Sequence, residues 1–112
     1  MIIIKTKLPR SYNGMTLWPF LFVAYSQKVS NKRFLNHENI HARQQQELAL
    51  VFFYIWYGIE YLIYRSRYNH HLAYRNIVFE REAYHNEDDL QYLSRRKFLA
   101  FLRYYRKEYR YG

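Results

Sequence analysis

The sequence predicts an α+β fold dominated by helices, and three observations predict it. The chain opens on a short β-branched run, Ile2-Ile3-Ile4-Lys5-Thr6-Lys7, followed after turn residues by a second mostly apolar run, Met15 to Tyr25. From Asn31 onward, apolar residues recur at helical rather than alternating spacing, with polar breaks near Arg65–Asn69 and Asn86–Asp89. The 112 residues contain no internal repeat, low-complexity tract or linker, so residues 1–112 form one domain with a single modest core.

Taken in order, Ile2–Lys7 reads as a strand, and Pro9, Asn13 and Gly14 supply turn chemistry. Met15–Tyr25 then reads as a second strand, giving an N-terminal β-hairpin, with Pro19 confining that strand to an edge or a bulge. Either Ser30 or Asn31 caps a helix that runs through Phe34 and Leu35 to Glu47. Leu48–Tyr64 is the most hydrophobic stretch, long enough only for the lower limit of a membrane span. Phe52, Ile55, Trp56, Ile59, Leu62 and Ile63 form one apolar helical face, which predicts packing on the core. Tyr54, Tyr57, Tyr61 and Tyr64 form a stripe near water or lipid headgroups. The loop Arg65-Ser66-Arg67-Tyr68-Asn69 then reverses the chain into a helical hairpin.

Composition limits the chemistry. No cysteine is present, so disulfides are excluded and any zinc site must be built from histidine and carboxylate. The net charge of +9 is unevenly placed. Residues 1–36 carry six basic and no acidic side chains, residues 37–90 five basic and eight acidic, and residues 91–112 seven basic and one acidic. Ser94–Arg110 reads as a basic amphipathic helix with Phe98, Phe101, Leu102, Tyr105 and Tyr109 on one face. Such a helix packs on the domain or lies on an anionic membrane surface. Nucleic acid is disfavoured because no reading motif accompanies the charge.

The chemistry-bearing stretch is His37-Glu38-Asn39-Ile40-His41. On a helix, residues four apart share a face, so His37 and His41 both turn a ring nitrogen toward one ion. Glu38 reaches a water held beside that ion. This pattern resembles the HExxH motif of zincin metallopeptidases. The zincin branch with HExxHxxGxxH is a poor match, because Gln44 and Glu47 stand at its glycine and third-ligand positions. A continuous helix would carry Glu47 about 15 Å from His37, which predicts a surface position.

The downstream segment Asn76–Tyr84 resembles the glutamate helix of gluzincins, with Glu80 followed three residues later by the small Ala83. Asn76 is its expected N-cap. Glu82 points about 200° away from Glu80 around a helix, so only one of the two faces the ion. Glu80 is the expected ligand and Glu82 the alternative. The family commonly carries an acidic residue four past the ligand glutamate; here that residue is Tyr84. The resemblance therefore implies a minimal zincin-like domain holding Zn²⁺ on His37, His41 and Glu80, with Glu38 as general base and a peptide or protein as substrate. Tyr84 and His85 are the expected transition-state donors. His70 and His71 are expected to be structural or solvated, and Asn86–Asp89 a solvated helix end.

A second function class fits the same composition: a non-catalytic, basic, aromatic-rich module that binds a membrane surface or an acidic partner. The expected location is the cytoplasm, or its membrane periphery. Residues 1–26 loosely imitate a secretory signal, and if they act as one the protein is secreted.

Overall fold

A computed structural model describes residues 1–9 and 12–112. Three strands, β1 (Ile2–Thr6), β2 (Gly14–Leu17) and β3 (Phe20–Ala24), precede five α-helices: α1 (Lys32–Glu47), α2 (Val51–Arg65), α3 (His70–Asn76), α4 (Val78–Asn86) and α5 (Tyr92–Arg95). Two 3-10 segments, Ala100–Tyr105 and Lys107–Tyr109, close the chain. The fold is α+β and helix-dominated, as the hydrophobic spacing predicts.

The sheet corrects the expected hairpin. Its order is β1-β3-β2, with β1 parallel to β3 and β2 antiparallel to it. Met15–Tyr25 is two strands rather than one, because the chain turns at Trp18-Pro19. Proline has no N–H to give to a ladder, and its fixed φ suits a turn better than a strand interior. The hairpin is thus β2–β3, and the opening strand joins its far side. β2 faces α1 through Gln45, whose Nε2 donates to the Thr16 carbonyl (2.8 Å) while its Oε1 accepts from Trp18 N (2.7 Å).

α1 begins where the sequence places it: the Asn31 side chain accepts from Phe34 N at 3.1 Å. Past Glu47 the chain bends by 113° into α2. Among the described residues no single helix is long and apolar enough to cross a membrane.

α2 is oriented opposite to the expectation. Phe52, Ile55, Ile59, Leu62 and Ile63 are exposed, and of that predicted apolar face only Trp56 is half-buried. Tyr57, Tyr61 and Tyr64 turn inward, while Tyr54 stays at the exposed edge. The reason is hydrogen bonding. Beside the apolar contacts of Phe53 and Trp56, buried polar groups lie beneath α2 and phenols satisfy them: Tyr57 donates to Glu80 (2.7 Å) and the Tyr64 oxygen accepts from Arg81 (3.1 Å), while at the exposed edge the Tyr61 hydroxyl pairs with the His70 ring (2.8 Å). An Ile or Leu face there would strand those groups.

Asn76 does not cap the glutamate helix. Its side chain instead clasps the C-terminus, donating to Leu72 and Tyr111 carbonyls and accepting from Tyr111 N (2.9, 3.0 and 2.9 Å). The first amide of α4 is satisfied from α2, where Glu60 Oε1 accepts from Val78 N at 2.8 Å. The core gathers around this junction: Phe53, Ile77, Val78, Phe79, Phe101 and Tyr104 are all buried. Ala83 packs on Ile40, and the small side chain lets α4 lie close against α1.

The basic C-terminal helix is also corrected. Residues 94–110 form the end of α5 and the two 3-10 segments, with Leu99 in the left-handed region (φ 57°). A continuous helix is interrupted because Arg96 is drawn into the interior, where its side chain is 0% exposed between Glu47 and Glu82. Phe101 and Tyr104 then enter the core, while Phe98, Leu102 and Tyr105 stay outside.

Candidate metal centre

Two helices build the centre. α1 carries His37 and His41 on the face it turns toward α4, and α4 carries Glu80 in its first turn. The turn after α4 is fastened to α1 by Asn36, whose Nδ2 donates to the carbonyls of Asn86, Glu87 and Asp89 (3.1, 2.9 and 3.0 Å). Both ends of α4 are thereby fixed, at Glu60 and at Asn36.

His37 Nε2, His41 Nε2 and Glu80 Oε1 converge. Their separations are 3.2, 3.2 and 3.0 Å, a near-equilateral triangle of donor atoms. Bonds of about 2.0–2.1 Å in a tetrahedral site set its donors about 3.3 Å apart. Two imidazoles and one carboxylate, all buried, are a donor set suited to a borderline divalent cation. Among the described residues this is the one such group.

The atoms behind the triangle fix its chemistry. Gln44 Nε2 donates to the Phe79 carbonyl (3.1 Å) and to Glu82 Oε1 (2.9 Å), so Gln44 Oε1 is left to accept from His41 Nδ1 at 2.8 Å. In the neutral imidazole the His41 proton therefore sits on Nδ1, which leaves the Nε2 lone pair for a cation at the centre. Tyr57 occupies Glu80 Oε2, which leaves Oε1 as a single donor. Glu87 Oε1 lies 3.9 Å from His37 Nδ1, so a carboxylate stands behind this imidazole too. Replacing Gln44 with leucine is expected to weaken cation binding roughly 10–100-fold in a competition titration. Gln46→Leu, at an exposed position of the same helix, should leave binding unchanged.

Other expected residues are placed as follows. Glu38 is buried, and its Oε1 accepts from Thr16 Oγ1 at 2.8 Å; its second oxygen has no partner among the described residues. Tyr84 lays its ring against His37 (centroids 4.5 Å apart), and its hydroxyl pairs with Tyr74 at 2.9 Å. His85 points elsewhere, among Tyr104, Tyr109 and Tyr111, so the donor role expected for it is corrected. Glu82, the alternative ligand, is also corrected: it is fully buried among Gln44, Tyr92 and Arg96. Glu47 is not a surface residue but Arg96's partner, and Glu87 is not a solvated helix end. His70 and His71 are both exposed, and the His70 ring pairs with the Tyr61 hydroxyl.

A cavity of about 470 Å³ opens onto the centre, bordered by Glu38, His41 and Glu80 on one side and by Met15, Tyr54 and Tyr74 on others. A smaller, polar one of about 230 Å³ adjoins it across Glu38, near Arg33 and Glu87. Tyr74 is a site residue the sequence did not reveal. Its hydroxyl stays protonated, because burial and the Glu80 charge push it far above the usual phenol range.

Electrostatics ties the imidazoles to protons when no cation competes. Burial disfavours the His37 imidazolium, but the hydrogen bond to Glu80, the Glu87 carboxylate 3.9 Å away and the other nearby carboxylate charges outweigh it and raise its pKa to about 10. His41 is raised for similar reasons, against burial and the His37 charge. Glu80 is lowered: burial opposes ionisation, and the two histidines overcome it. His37 adds stability that is complete below its ordinary 6.5 and fades as pH rises toward 10. Glu80 adds stability that is complete above its ordinary 4.5 and fades in acid. Chelator-treated protein should therefore draw its greatest stability from this cluster between pH 4.5 and 6.5. Added zinc needs neutral imidazoles, so the melting temperature should gain most from it at higher pH. Melting curves across pH, with and without zinc, check both statements.

No protein-family model, curated protein or solved structure matches the chain. What the fold and the centre define is a helix-dominated α+β domain with a buried His/His/Glu group at the floor of a cavity.

Proposed function

We propose that the protein is a metal-dependent hydrolase, with zinc as the best-fitting cation and a peptide bond as the target. One observation carries the reading: the His37, His41 and Glu80 donor triangle closes beside Glu38, at the floor of a cavity large enough for a substrate side chain. A cation held there supplies Lewis acidity, lowering the pKa of a water and polarising a carbonyl.

The chain's own residues supply the rest. Thr16 holds one Glu38 oxygen, so the carboxylate keeps one orientation while its other oxygen takes a proton from the attacking water. Glu38 then delivers that proton to the leaving nitrogen. Tyr74, paired with Tyr84, offers a phenolic O–H toward the negative charge that develops on the former carbonyl oxygen. Gln44 holds the His41 imidazole and Tyr57 holds the carboxylate, with the Glu87 carboxylate 3.9 Å behind His37.

The test is binding followed by turnover. Protein stripped with chelator and dialysed against zinc should retain one ion per chain by elemental analysis, with His37→Ala and Glu80→Ala retaining none. Loaded wild-type protein should cleave members of a peptide mixture read by mass spectrometry. Equal zinc in wild type and both variants would remove the site from consideration.

A further inference from the structure

The outward face of α2 has no partner within the fold. Val51, Phe52, Ile55, Ile59, Leu62 and Ile63 are 51–70% exposed and span about 18 Å of helix at 1.5 Å per residue. Scattered surface leucines need no explanation, but six large apolar side chains in one uninterrupted stripe do. The one acidic residue of α2, Glu60, is turned inward, where it caps α4. The opposite face of the helix is already committed to the core through Phe53 and Trp56.

The stripe continues sideways. Trp56 packs on Phe101 (centroids 5.3 Å apart) and donates to the Tyr105 hydroxyl at 2.8 Å, so the first 3-10 segment lies along this edge of α2. It adds Leu102 and Tyr105, 46% and 42% exposed. Basic side chains frame the surface: Arg65 and Arg67 at the end of α2, and Arg103, Arg106 and Lys107 in the adjoining segments, all exposed. Acidic charge is largely absent from it. Glu38, Glu47, Glu60, Glu80, Glu82 and Glu87 are internal, and Asp88 and Asp89 sit by Arg33 and Arg95 at the far end of α1. Glu108, paired with Arg106, is the exception.

We infer that α2 docks the protein on an anionic lipid surface, its apolar stripe in the headgroup–acyl boundary and the flanking arginines and lysine on lipid phosphates and carboxylates. The charge decides the occupant. A second copy meeting the stripe across a two-fold axis would bring two cationic frames together, whereas anionic headgroups complement them. Helix length decides the mode. At about 22 Å, α2 falls short of a roughly 30 Å hydrocarbon core, so it lies on the bilayer and does not span it. Residues 94–110, which the sequence offers either to the domain or to an anionic membrane, form only the flank of this surface, and α2 carries the apolar contact.

Co-sedimentation of the full chain with vesicles tests this, using phosphatidylcholine alone or mixed with phosphatidylserine. Association should require phosphatidylserine and weaken as salt is raised. Ile59→Asp with Leu62→Asp should lower it by about tenfold or more. Arg65→Glu with Arg67→Glu should lower it by about fivefold or more for each charge reversed. These positions are exposed, so circular dichroism and melting temperature should stay at wild-type values. Chelator treatment should leave association unchanged, which separates this result from the fate of the hydrolase proposal. Equal association of the Ile59/Leu62 variant and wild type would overturn the inference. So would a wild-type chain that ignores both vesicle types, and a dimer in solution that dissociates in that variant would then show a second copy covering the stripe.

Discussion

Arg96→Ala is expected to cost about 3–5 kcal/mol of folding stability, because it leaves two buried carboxylates without a counter-charge. The Arg96 guanidinium lies fully inside the protein. Its Nη1 and Nη2 reach Glu47 at 2.6 and 3.0 Å, and its Nε and Nη2 reach Glu82 at 2.5 and 3.1 Å. Glu82 in turn accepts from Tyr92 and Gln44, and Glu47 from Leu99 N. Against a domain stability of about 5–15 kcal/mol the loss is severe. Arg96→Lys keeps the charge but not the fork, and should fall between the two. Urea unfolding measures the series. A loss under about 1 kcal/mol for Arg96→Ala would mean the three side chains are not joined as described. Since Glu82 also holds Gln44, Arg96→Lys should weaken zinc binding as well, through His41.

The second large effect belongs to Glu38. Glu38→Gln preserves shape and keeps an oxygen for Thr16, but a carboxamide does not accept the proton from water. Hydrolysis should fall by about 10²–10⁴-fold, while zinc content and melting temperature stay near wild type. That combination distinguishes a proton carrier from a ligand, since His41→Ala should lose metal and activity together. Unchanged turnover in Glu38→Gln would transfer the general-base role to another group.

The two-helix origin of the centre was legible because helical geometry is local. His37 and His41 share a face by spacing alone, and Glu80 stands on a segment whose small Ala83 permits close packing. What surrounds the triangle was not legible, for a different reason in each place. Glu87 stands in an acidic run that looks solvated; only the three bonds from Asn36, fifty residues earlier in sequence, fold that run back toward His37. Glu47 and the path of residues 94–110 follow from one buried arginine, and no local pattern distinguishes Arg96 from its neighbours Arg95 and Lys97. Orientation of α2 failed most instructively. Hydrophobicity put Ile and Leu inside, but the inner surface needed a hydroxyl donor for Glu80 and an acceptor for Arg81, and the tyrosines met it. In a chain with 14 tyrosines, hydrogen-bonding demand outranks apolarity in deciding which face turns inward.

Zinc-edge X-ray absorption on protein loaded with one equivalent of zinc examines the donor triangle itself. The geometry here predicts a four-coordinate ion with two imidazole nitrogens and oxygen donors at about 2.0–2.1 Å, and loss of that signature in Glu80→Ala. A shell of oxygens alone, or a spectrum that Glu80→Ala leaves untouched while a His70/His71 variant abolishes it, would show that the ion binds elsewhere and that α1 and α4 do not form a metal site.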